Sequence, residues 1–421
     1  MSFIDYKDTV LYCEDISLKE LAEEYGTPLY VYSKQQILHN YRTINAAFGE
    51  IEHCVYYAVK ANSNPTILKM LAEEGAGADI VSAGELYLAL KSGFDPEKIV
   101  FAGVGKRDDE IEYALNKNIL MFNVESVPEL QAISRIALRL NKTARIAIRI
   151  NPHIDAQSHP HITTGLHSTK FGIEDTKALE VYKLAMNLPS IEVHGIHTHI
   201  GSQITSIEQF VETAKSLATL VQQLREAGIP IQHIDFGGGF GVPYHNVVLH
   251  EALPVENSAS PVPAPSEFIE AIMPILQSSG CSLWTEPGRA IVANAGLLLT
   301  KVLYIKENTS KKFVIVDSGM TELIRPVLYN AYHQIVPIVI ESYEHLQADV
   351  VGPICESGDF FARDRAISKI HAGDYLAIMT TGAYGFVNAS NYNGRLRPAE
   401  VLVNGERVRV IRSRQTFEEL I

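Results

Sequence analysis

Short apolar stretches alternate with helix-patterned stretches from about residue 35 to residue 290. The apolar stretches lie at residues 54–59, 78–81, 99–102, 120–124, 144–150, 193–199, 231–236 and 281–286. Their apolar, β-branched character is typical of parallel strands that are covered by helices. Eight strand–helix units over roughly 250 residues favour an α/β fold of the (β/α)8 TIM-barrel type. A doubly wound open sheet is the alternative that this pattern leaves open.

Capping residues mark where several helices begin. Ser33, Ser82, Ser126 and Ser206 each precede a Glu or Gln by three positions, which is the spacing of a capping box. Proline is favoured at the start of a helix and glycine just after its end. Asn64-Pro65, followed by Gly75, therefore predicts one further helix.

After about residue 295 the pattern changes to extended stretches without helices. They lie at residues 299–305, 312–316, 335–340, 374–379 and 401–410, and Asn404-Gly405 is a strong hairpin signal. This pattern predicts an all-β sandwich or small barrel. We expect a barrel at residues 35–290, a β domain at residues 291–421, and an N-terminal segment at residues 1–34 that packs with the β domain.

One long insertion interrupts the barrel pattern at residues 242–266. It carries five prolines. Long segments without regular structure of their own lie on the protein surface in most domains. The sequence therefore predicts an extended surface loop here.

Composition and charge limit the classes of partner. The chain is 46% hydrophobic and 20% charged, with a formal net charge of −13, which disfavours nucleic acids and anionic membranes. No apolar run approaches about 18 residues, and the first residues do not resemble a signal peptide. The four cysteines lie far apart without a CxxC pair, as is typical of reduced thiols. We expect a soluble cytoplasmic protein that acts on a small molecule.

Lys60 ends the first predicted strand. Desolvation at such a position lowers the pKa of an amine and frees it as a nucleophile for Schiff-base chemistry. Taken alone, the local sequence favours an ordinary lysine that extends from the strand end into solvent. The other strand ends change this balance.

Polar residues and glycines follow or occupy most of the other strand ends. They are Asp79, Arg149, His197, His199, the glycine run at residues 237–241, and the segment from Glu286 to Arg289. Barrel enzymes place their chemistry at the carboxyl ends of the strands. Folding alone does not require polar groups at six of eight strand ends, so we expect an active site there.

Several of these residues have two interpretations. The glycine run is either a phosphate cradle or a flexible turn. His197 and His199 share a face of a strand, but no third metal ligand is visible, so packing against an aromatic cofactor is favoured over a metal site. Glu286 needs a cationic partner, which is either a protonated pyridine nitrogen or one of Arg289 and Arg149. Three further histidines are expected to be polar surface residues, namely His153, His159 and His161.

Two glycine-rich turns in the β domain carry reactive side chains, at residues 355–359 and 382–385. Cys355 is either a reactive or a buried structural thiol, and Tyr384 is either a functional or a packing residue. A surface role for Arg325 and Tyr329 is equally compatible with the local sequence.

Six motifs occur in the order found in one enzyme family. They are YAVKAN at residues 57–62, HIGSQ at 199–203, GGGFG at 237–241, EPGR at 286–289, CESGD at 355–359 and GAYG at 382–385. Nearly the whole chain resembles the fold-type III pyridoxal-phosphate decarboxylases, in which a barrel is joined to a β-sandwich. Further similarity lies at residues 317–320, 323–329, 391–393 and 397–400. The loop at residues 164–172 is a looser version of the family's loop.

The resemblance implies a role for each candidate residue. Lys60 would bind pyridoxal 5'-phosphate covalently, His199 would stack on its ring, and Glu286 would pair with its ring nitrogen. Asp79 and Arg149 would support the site, and Cys355 would protonate the substrate carbon. The residues implied for the phosphate are Ser202, Gly239, Gly288 and Tyr384, and Gly238 and Arg289 are implied as further cofactor-binding residues. Those implied for the substrate are Arg289, Arg325, Tyr329, Glu356 and Tyr384.

The resemblance also implies a reaction and an assembly. We expect decarboxylation of meso-2,6-diaminopimelate to L-lysine and carbon dioxide, the last step of lysine biosynthesis. A homodimer is expected, in which the partner chain supplies Cys355 and Glu356 to a shared active site. The alternatives are a decarboxylase of ornithine, lysine or arginine, an enzyme acting on a carrier-bound glutamyl group, and a non-catalytic carrier of the cofactor.

Overall fold

The computed structural model describes residues 3–155, 164–165, 169–255 and 261–421. The chain divides into two compact units. The barrel unit comprises Tyr41–Val242 and Val262–Ala290. The β unit comprises Met1–Asn40, Pro243–Pro261 and Ile291–Ile421. Most of the proline-rich insertion is therefore grouped with the two ends of the chain and not with the barrel segments that flank it.

The barrel unit contains eight parallel strands that close on themselves. In chain order they are His53–Ala58, Gly77–Ile80, Ile99–Phe101, Met121–Val124, Ala144–Asn151, Ile191–His197, His233–Asp235 and Ser282–Thr285. The eighth strand pairs with the first, Leu283 opposite His53, which completes the barrel. The prediction of a (β/α)8 barrel is confirmed, and the open sheet is wrong.

Helices follow the barrel strands, and the capping side chains begin most of those predicted. The helices are Pro65–Glu73, Ala83–Lys91, Asp108–Asn116, Val127–Arg139, Ala178–Asn187, Ile207–Glu226, Pro265–Leu276 and Arg289–Val292. Ser82 and Ser126 accept hydrogen bonds from the amides of Glu85 and Glu129, at 3.2 and 3.3 Å. Ser206 was wrongly predicted as a side-chain cap, because its hydroxyl donates to the Glu208 carboxylate instead.

The barrel strands are buried on both faces, as their apolar composition predicts. Tyr56, Val100, Met121 and Ala147 form a core cluster contributed by four different strands. Because all eight strands run parallel, their carboxyl ends meet at one rim of the barrel. Residues that are far apart in sequence are thereby placed close together.

The β unit is built around a nine-stranded mixed sheet. Along its main path the strands are Phe360–Ser368, His345–Val351, Lys312–Val316, Gly296–Glu307, Leu29–Ser33, Ala399–Asn404 and Arg407–Arg412, and Tyr375–Ile378 joins Gly296–Glu307 to Ile335–Pro337. A three-stranded sheet contains Ile4–Lys7, Val10–Cys13 and Ile16–Ser17. The remaining α-helices of the described chain are Leu18–Tyr25, Lys34–Ala46 and Arg325–Tyr329.

The hairpin predicted at Asn404-Gly405 is present, but its turn is shifted by one residue. Asn404 pairs with Arg407, so that Gly405 and Glu406 form the loop. Gly405 has a φ of 60°, which a glycine adopts without steric cost. The sequence pattern did not predict His345–Val351 or Phe360–Ser368, since charged residues interrupt their apolar periodicity.

The described part of the insertion is not the extended surface loop that its prolines suggest. Val248, Ala252 and Leu253 are almost completely buried in the core of the β unit. The side chain of Gln334 fastens the backbone of this segment, because it accepts from the amide of Val248 at 3.0 Å and donates to its carbonyl at 2.9 Å. A buried segment needs such partners for its backbone polar groups.

Within the described ranges, no helix combines the length and the apolar character that a membrane crossing requires.

Candidate active site

Lys60 lies on a single 3-10 turn, Val59–Ala61, directly after the first barrel strand. Its amine donates a hydrogen bond to Oδ2 of Asp79, whose side chain is completely buried on the second strand. Burial and the neighbouring Glu286 raise the pKa of Asp79 to about 7, although Lys60 opposes this shift. A carboxyl group that titrates near neutral pH can accept the proton that the amine must lose to act as a nucleophile.

Glu286 follows the eighth strand and is 5% exposed. One carboxylate oxygen accepts from Nδ2 of Asn123 and the other from Nε2 of His197, both at 3.1 Å. Burial alone would raise the pKa of Glu286, but the hydrogen bond and electrostatic effect of His197, together with Lys60, hold it well below its ordinary range. Glu286 therefore presents an ionised carboxylate inside the barrel rim.

The arginines predicted as alternative partners of Glu286 are engaged elsewhere. Arg149 is buried and forms an ion pair with Glu125 at 2.8 Å. Its second nitrogen donates to the carbonyl of His199 at 3.2 Å. Arg289 donates to the hydroxyl of Ser202 at 2.9 Å. The salt-bridge interpretation of Glu286 is therefore wrong, and Arg149 contacts the backbone that carries His199.

His199 is held as a neutral ring. Burial, and then the charges of Arg149 and Lys60, lower its pKa well below the ordinary value. Its Nδ1 atom accepts a hydrogen bond from the amide of Gly238 at 3.1 Å, so the proton resides on Nε2. A neutral imidazole with a fixed orientation is suited to lie flat against a conjugated ring.

The glycines of the rim allow neighbouring strand ends to approach closely. A Cβ atom on Gly238 would lie 2.2 Å from the carbonyl oxygen of Glu286. Gly239 has a φ of 101°, and a Cβ there would lie 2.2 Å from the carbonyl oxygen of Gly201. Gly288 is similarly confined, since its Cβ would lie 2.8 Å from that of Ala61. These positions require glycine for steric reasons. The glycines at 238 and 239 therefore do not by themselves distinguish a phosphate cradle from a flexible turn.

Three polar residues of the rim escaped the sequence analysis, namely Asn123, Glu125 and Asp235. Each lies at or next to the carboxyl end of a barrel strand, so the positional rule that selected Lys60 would also have found them. The side chains of His197, Asp235 and Glu286 lie within 4.8 Å of one another. The prediction that His197 has no further metal-ligating residues nearby is therefore wrong. In this structure, however, Nε2 of His197 contacts Glu286.

The rim fits a pyridoxal phosphate. It offers an amine on Lys60, a flat neutral ring on His199, and an ionised carboxylate on Glu286 for a protonated ring nitrogen. Ser202 and Arg289 supply a hydroxyl and a guanidinium of the kind that bind phosphate. Oδ1 of Asp79 is buried without a hydrogen-bond partner among the described residues, so this atom is available to a bound group.

In the β unit, Arg325 begins the helix Arg325–Tyr329 and is 5% exposed. It donates to Nε2 of His333 at 2.8 Å, and Nδ1 of His333 in turn donates to the carbonyl of Met379 at 2.8 Å. The guanidinium also lies 4.7 Å from the ring centre of Tyr244, a residue of the insertion. The surface interpretation of Arg325 is therefore wrong. Tyr329, on the same helix, is partly exposed.

Cys355 and Glu356 lie on an exposed loop of the β unit. The carboxylate of Asp359 shapes this loop, because it accepts from the amides of Met320 and Ile354 at 2.6 and 2.8 Å. The amide of Cys355 donates to Asn393 at 2.8 Å. An exposed thiol on a constrained loop contradicts the interpretation of Cys355 as a buried structural cysteine.

Tyr384 is partly exposed and has a φ of 58°, in the left-handed region that residues other than glycine rarely adopt. Such a conformation costs free energy and is concentrated at functional sites. Of the surface histidines, His153 is exposed as expected, whereas His159 and His161 lie outside the described residues.

The comparisons with known proteins agree with this geometry. Residues 34–293 match the family described as pyridoxal-dependent decarboxylase, pyridoxal binding domain. A diaminopimelate decarboxylase of Aquifex aeolicus is 46% identical over 419 residues, which is 100% of this chain and 96% of that protein.

Two solved structures share the fold over almost the whole length. One is diaminopimelate decarboxylase of Helicobacter pylori complexed with L-lysine, with a TM-score of 0.89, 42% identity, and coverage of 96% of this chain and 98% of that one. The other is the enzyme of M. jannaschii in complex with L-lysine, with a TM-score of 0.92, 39% identity, and coverage of 99% and 96%. The chain therefore belongs to the diaminopimelate decarboxylases, within the family of pyridoxal-dependent decarboxylases.

Proposed function

We infer that this chain decarboxylates meso-2,6-diaminopimelate to L-lysine and carbon dioxide, the last step of lysine biosynthesis, with pyridoxal 5'-phosphate as its cofactor. The observation that carries this inference is the arrangement of the barrel rim. Lys60 contacts a carboxyl group that titrates near neutral pH, and an ionised Glu286 lies nearby. Relatives named diaminopimelate decarboxylase have been solved in complex with L-lysine, which supports this reaction because L-lysine is its product.

The chemistry of the cofactor explains the residues of the rim. Bound through Lys60, pyridoxal phosphate provides a sink for the electron pair that departing carbon dioxide leaves behind, as long as its ring nitrogen is protonated. Glu286 would keep the proton at that nitrogen. His199 would lie against the ring, and Asp79 would accept the proton of the Lys60 amine. Arg149 supports His199 through its backbone.

Further residues would hold the phosphate and deliver a proton. We assign the phosphate to the rim residues Ser202, Gly239 and Gly288, together with Tyr384, and place Gly238 in the same cofactor site. The exposed thiol of Cys355 would protonate the substrate carbon after carbon dioxide has left. A general acid has to reach the reacting carbon, and an exposed loop is a suitable place for such a group.

The far end of the substrate distinguishes diaminopimelate from ornithine and lysine, since it carries a carboxylate as well as an ammonium group. We assign the carboxylate to Arg289 and Arg325, because arginine binds carboxylates through two parallel hydrogen bonds. Glu356 would bind the ammonium group, with Tyr329 and Tyr384 beside the substrate. A substrate without the distal carboxylate would not form the charge-assisted hydrogen bonds that these two buried arginines are proposed to offer.

Replacing Glu286 by glutamine tests the role of the carboxylate. We expect the variant to keep the cofactor, because its phosphate contacts remain, but to lose most of its activity, because an amide does not retain the proton at the ring nitrogen. Cofactor content is measured by absorbance after release from the protein, and turnover by carbon dioxide production. Activity within about threefold of the wild type would reduce Glu286 to a structural residue.

We propose that the protein works as a cytoplasmic homodimer with shared active sites. Cys355 and Glu356 are exposed on their own chain, as residues that reach into a partner's site must be. The four cysteines form no disulfide within the described chain, which suits a reducing compartment. Residues 35–290 would form the cofactor-binding domain. Residues 291–421 would form the second domain, joined by residues 1–34 and by the insertion.

Mixing two inactive variants tests the shared site. Lys60→Ala and Cys355→Ala proteins are combined under conditions that exchange subunits. Each mixed dimer contains one site with both residues intact and one with neither, so we expect roughly a quarter of wild-type activity at equal amounts. The control is a Lys60→Ala/Cys355→Ala double variant mixed with Lys60→Ala, which should stay inactive. Continued inactivity of the first mixture, despite exchange proven by mass spectrometry, would show that each chain completes its own site.

A further inference from the structure

Asp235 is a buried carboxyl group to which the proposed reaction assigns no role. It is the last residue of the seventh barrel strand and is fully buried. In the strand register it lies beside His197 on one side and Trp284 on the other. Its Oδ1 atom accepts from the amide of Gly237 at 2.9 Å. Its Oδ2 atom is buried without a hydrogen-bond partner in the described part of the chain.

Asp235 faces a second carboxyl group, that of Glu286. One carboxylate oxygen of Asp235, one of Glu286 and one ring nitrogen of His197 lie within 4.8 Å of one another. Both oxygens of Glu286 already accept hydrogen bonds, from Asn123 and His197. Two carboxyl groups so close together and removed from water do not both ionise unless a cation lies between them.

The charges around Asp235 decide which of the carboxyl groups stays protonated. Glu286 is held ionised by His197, and Asp79 is paired with Lys60. Among the described residues, no Lys or Arg forms an ion pair with Asp235. Burial, followed by repulsion from Glu286 and Asp79, raises the pKa of Asp235 well above its ordinary value. Of the three carboxyl groups, Asp235 is therefore the one that has no charge partner.

We propose that Asp235 carries a proton on Oδ2 and donates it to the Glu286 carboxylate, as a positioning residue that fixes Glu286 against the ring nitrogen of the cofactor. The orphaned Oδ2 atom thereby gains a partner, and Glu286 gains a third donor besides Asn123 and His197. The positioning role rests on the proposed function, whereas the proton on Asp235 follows from the cluster itself and holds without cofactor.

A divalent cation bound by His197, Asp235 and Glu286 is the competing explanation of the same geometry. It is disfavoured because His197 must carry a proton on Nε2 to donate to Glu286, and a metal would need that nitrogen free. The experiment separates the two explanations by a direct measurement of metal content.

Infrared spectroscopy of the full-length protein detects the proton. At about pH 8.5, above the pKa of about 7 of Asp79, we expect a carboxylic-acid carbonyl band that shifts in D2O. The band should disappear in Asp235→Asn and persist in the control Asp79→Asn. It should be present before and after cofactor removal. Absence of the band from the wild type, or its persistence in Asp235→Asn, overturns the proposal, as does one equivalent of tightly bound metal that Asp235→Asn lacks.

Kinetics test the positioning role separately. Asp235→Ala should lower kcat by roughly 10- to 100-fold, the loss expected when a hydrogen bond to a charged group is removed. Asparagine keeps an acceptor for Gly237 and a donor toward Glu286, so Asp235→Asn should recover most of that loss. An asparagine variant as impaired as the alanine variant would overturn the positioning role. A protein that binds no pyridoxal phosphate would refute the proposed function while leaving the infrared result unchanged.

Discussion

Replacing Lys60 by arginine is expected to lower kcat by at least about 10³, because the variant keeps a positive charge opposite Asp79 but has no amine that forms a Schiff base. The wild type should be yellow, with an absorbance band at about 420 nm, and the variant should lack this band. Turnover is followed by carbon dioxide release at saturating cofactor.

Borohydride reduction followed by peptide mapping identifies the reactive lysine directly. We expect the pyridoxyl label on Lys60 alone. Lys106 is the internal control, since it also lies in the barrel unit and its amine also pairs with a carboxylate, that of Glu129 at 2.7 Å. Because Lys106 also donates to the carbonyls of Gly103 and Asn123, it should stay unlabelled. A label on any lysine other than Lys60, or no label, would contradict the assignment of the cofactor-binding lysine.

The wild type should prefer meso-2,6-diaminopimelate over L-lysine and L-ornithine by at least about 10³ in kcat/KM, the scale expected when buried polar groups of a site lose their partners. Arg325 is the residue whose role this prediction tests. It is buried, and His333 and Tyr244 orient its guanidinium. Arg325→Gln should reduce turnover of diaminopimelate by roughly 10²- to 10³-fold, since one partner of a charge pair is removed.

The same substitution should affect the slow turnover of lysine far less, so the ratio between the two substrates should narrow. Arg365→Gln is the matched control, because Arg365 donates to the carbonyl of His333 at 2.6 Å and stacks over Tyr332, but has no proposed contact with substrate. It should leave the ratio unchanged. Comparable wild-type rates on lysine or ornithine would refute diaminopimelate as the substrate while preserving the decarboxylase class.

Local sequence was sufficient to predict the barrel and the position of its rim. Strand and helix periodicity depends on residues within one or two turns of each other, so the eight strands could be placed from the chain alone. The same local logic placed Lys60 and Glu286 at strand ends. It failed where charged residues interrupt a strand, as in Phe360–Ser368, and where prolines suggested a surface loop although Val248 and Leu253 are buried.

Only the tertiary structure decided the partners of these residues. Closure of the barrel brings Asn123 to Glu286 across 163 positions and His197 to Glu286 across 89. These contacts hold Glu286 ionised and surround the orphaned carboxyl of Asp235, and no local pattern encodes them. The sequence alone thus determines which residue types lie at the rim. Their charge states depend on the neighbours that the closed barrel places around them.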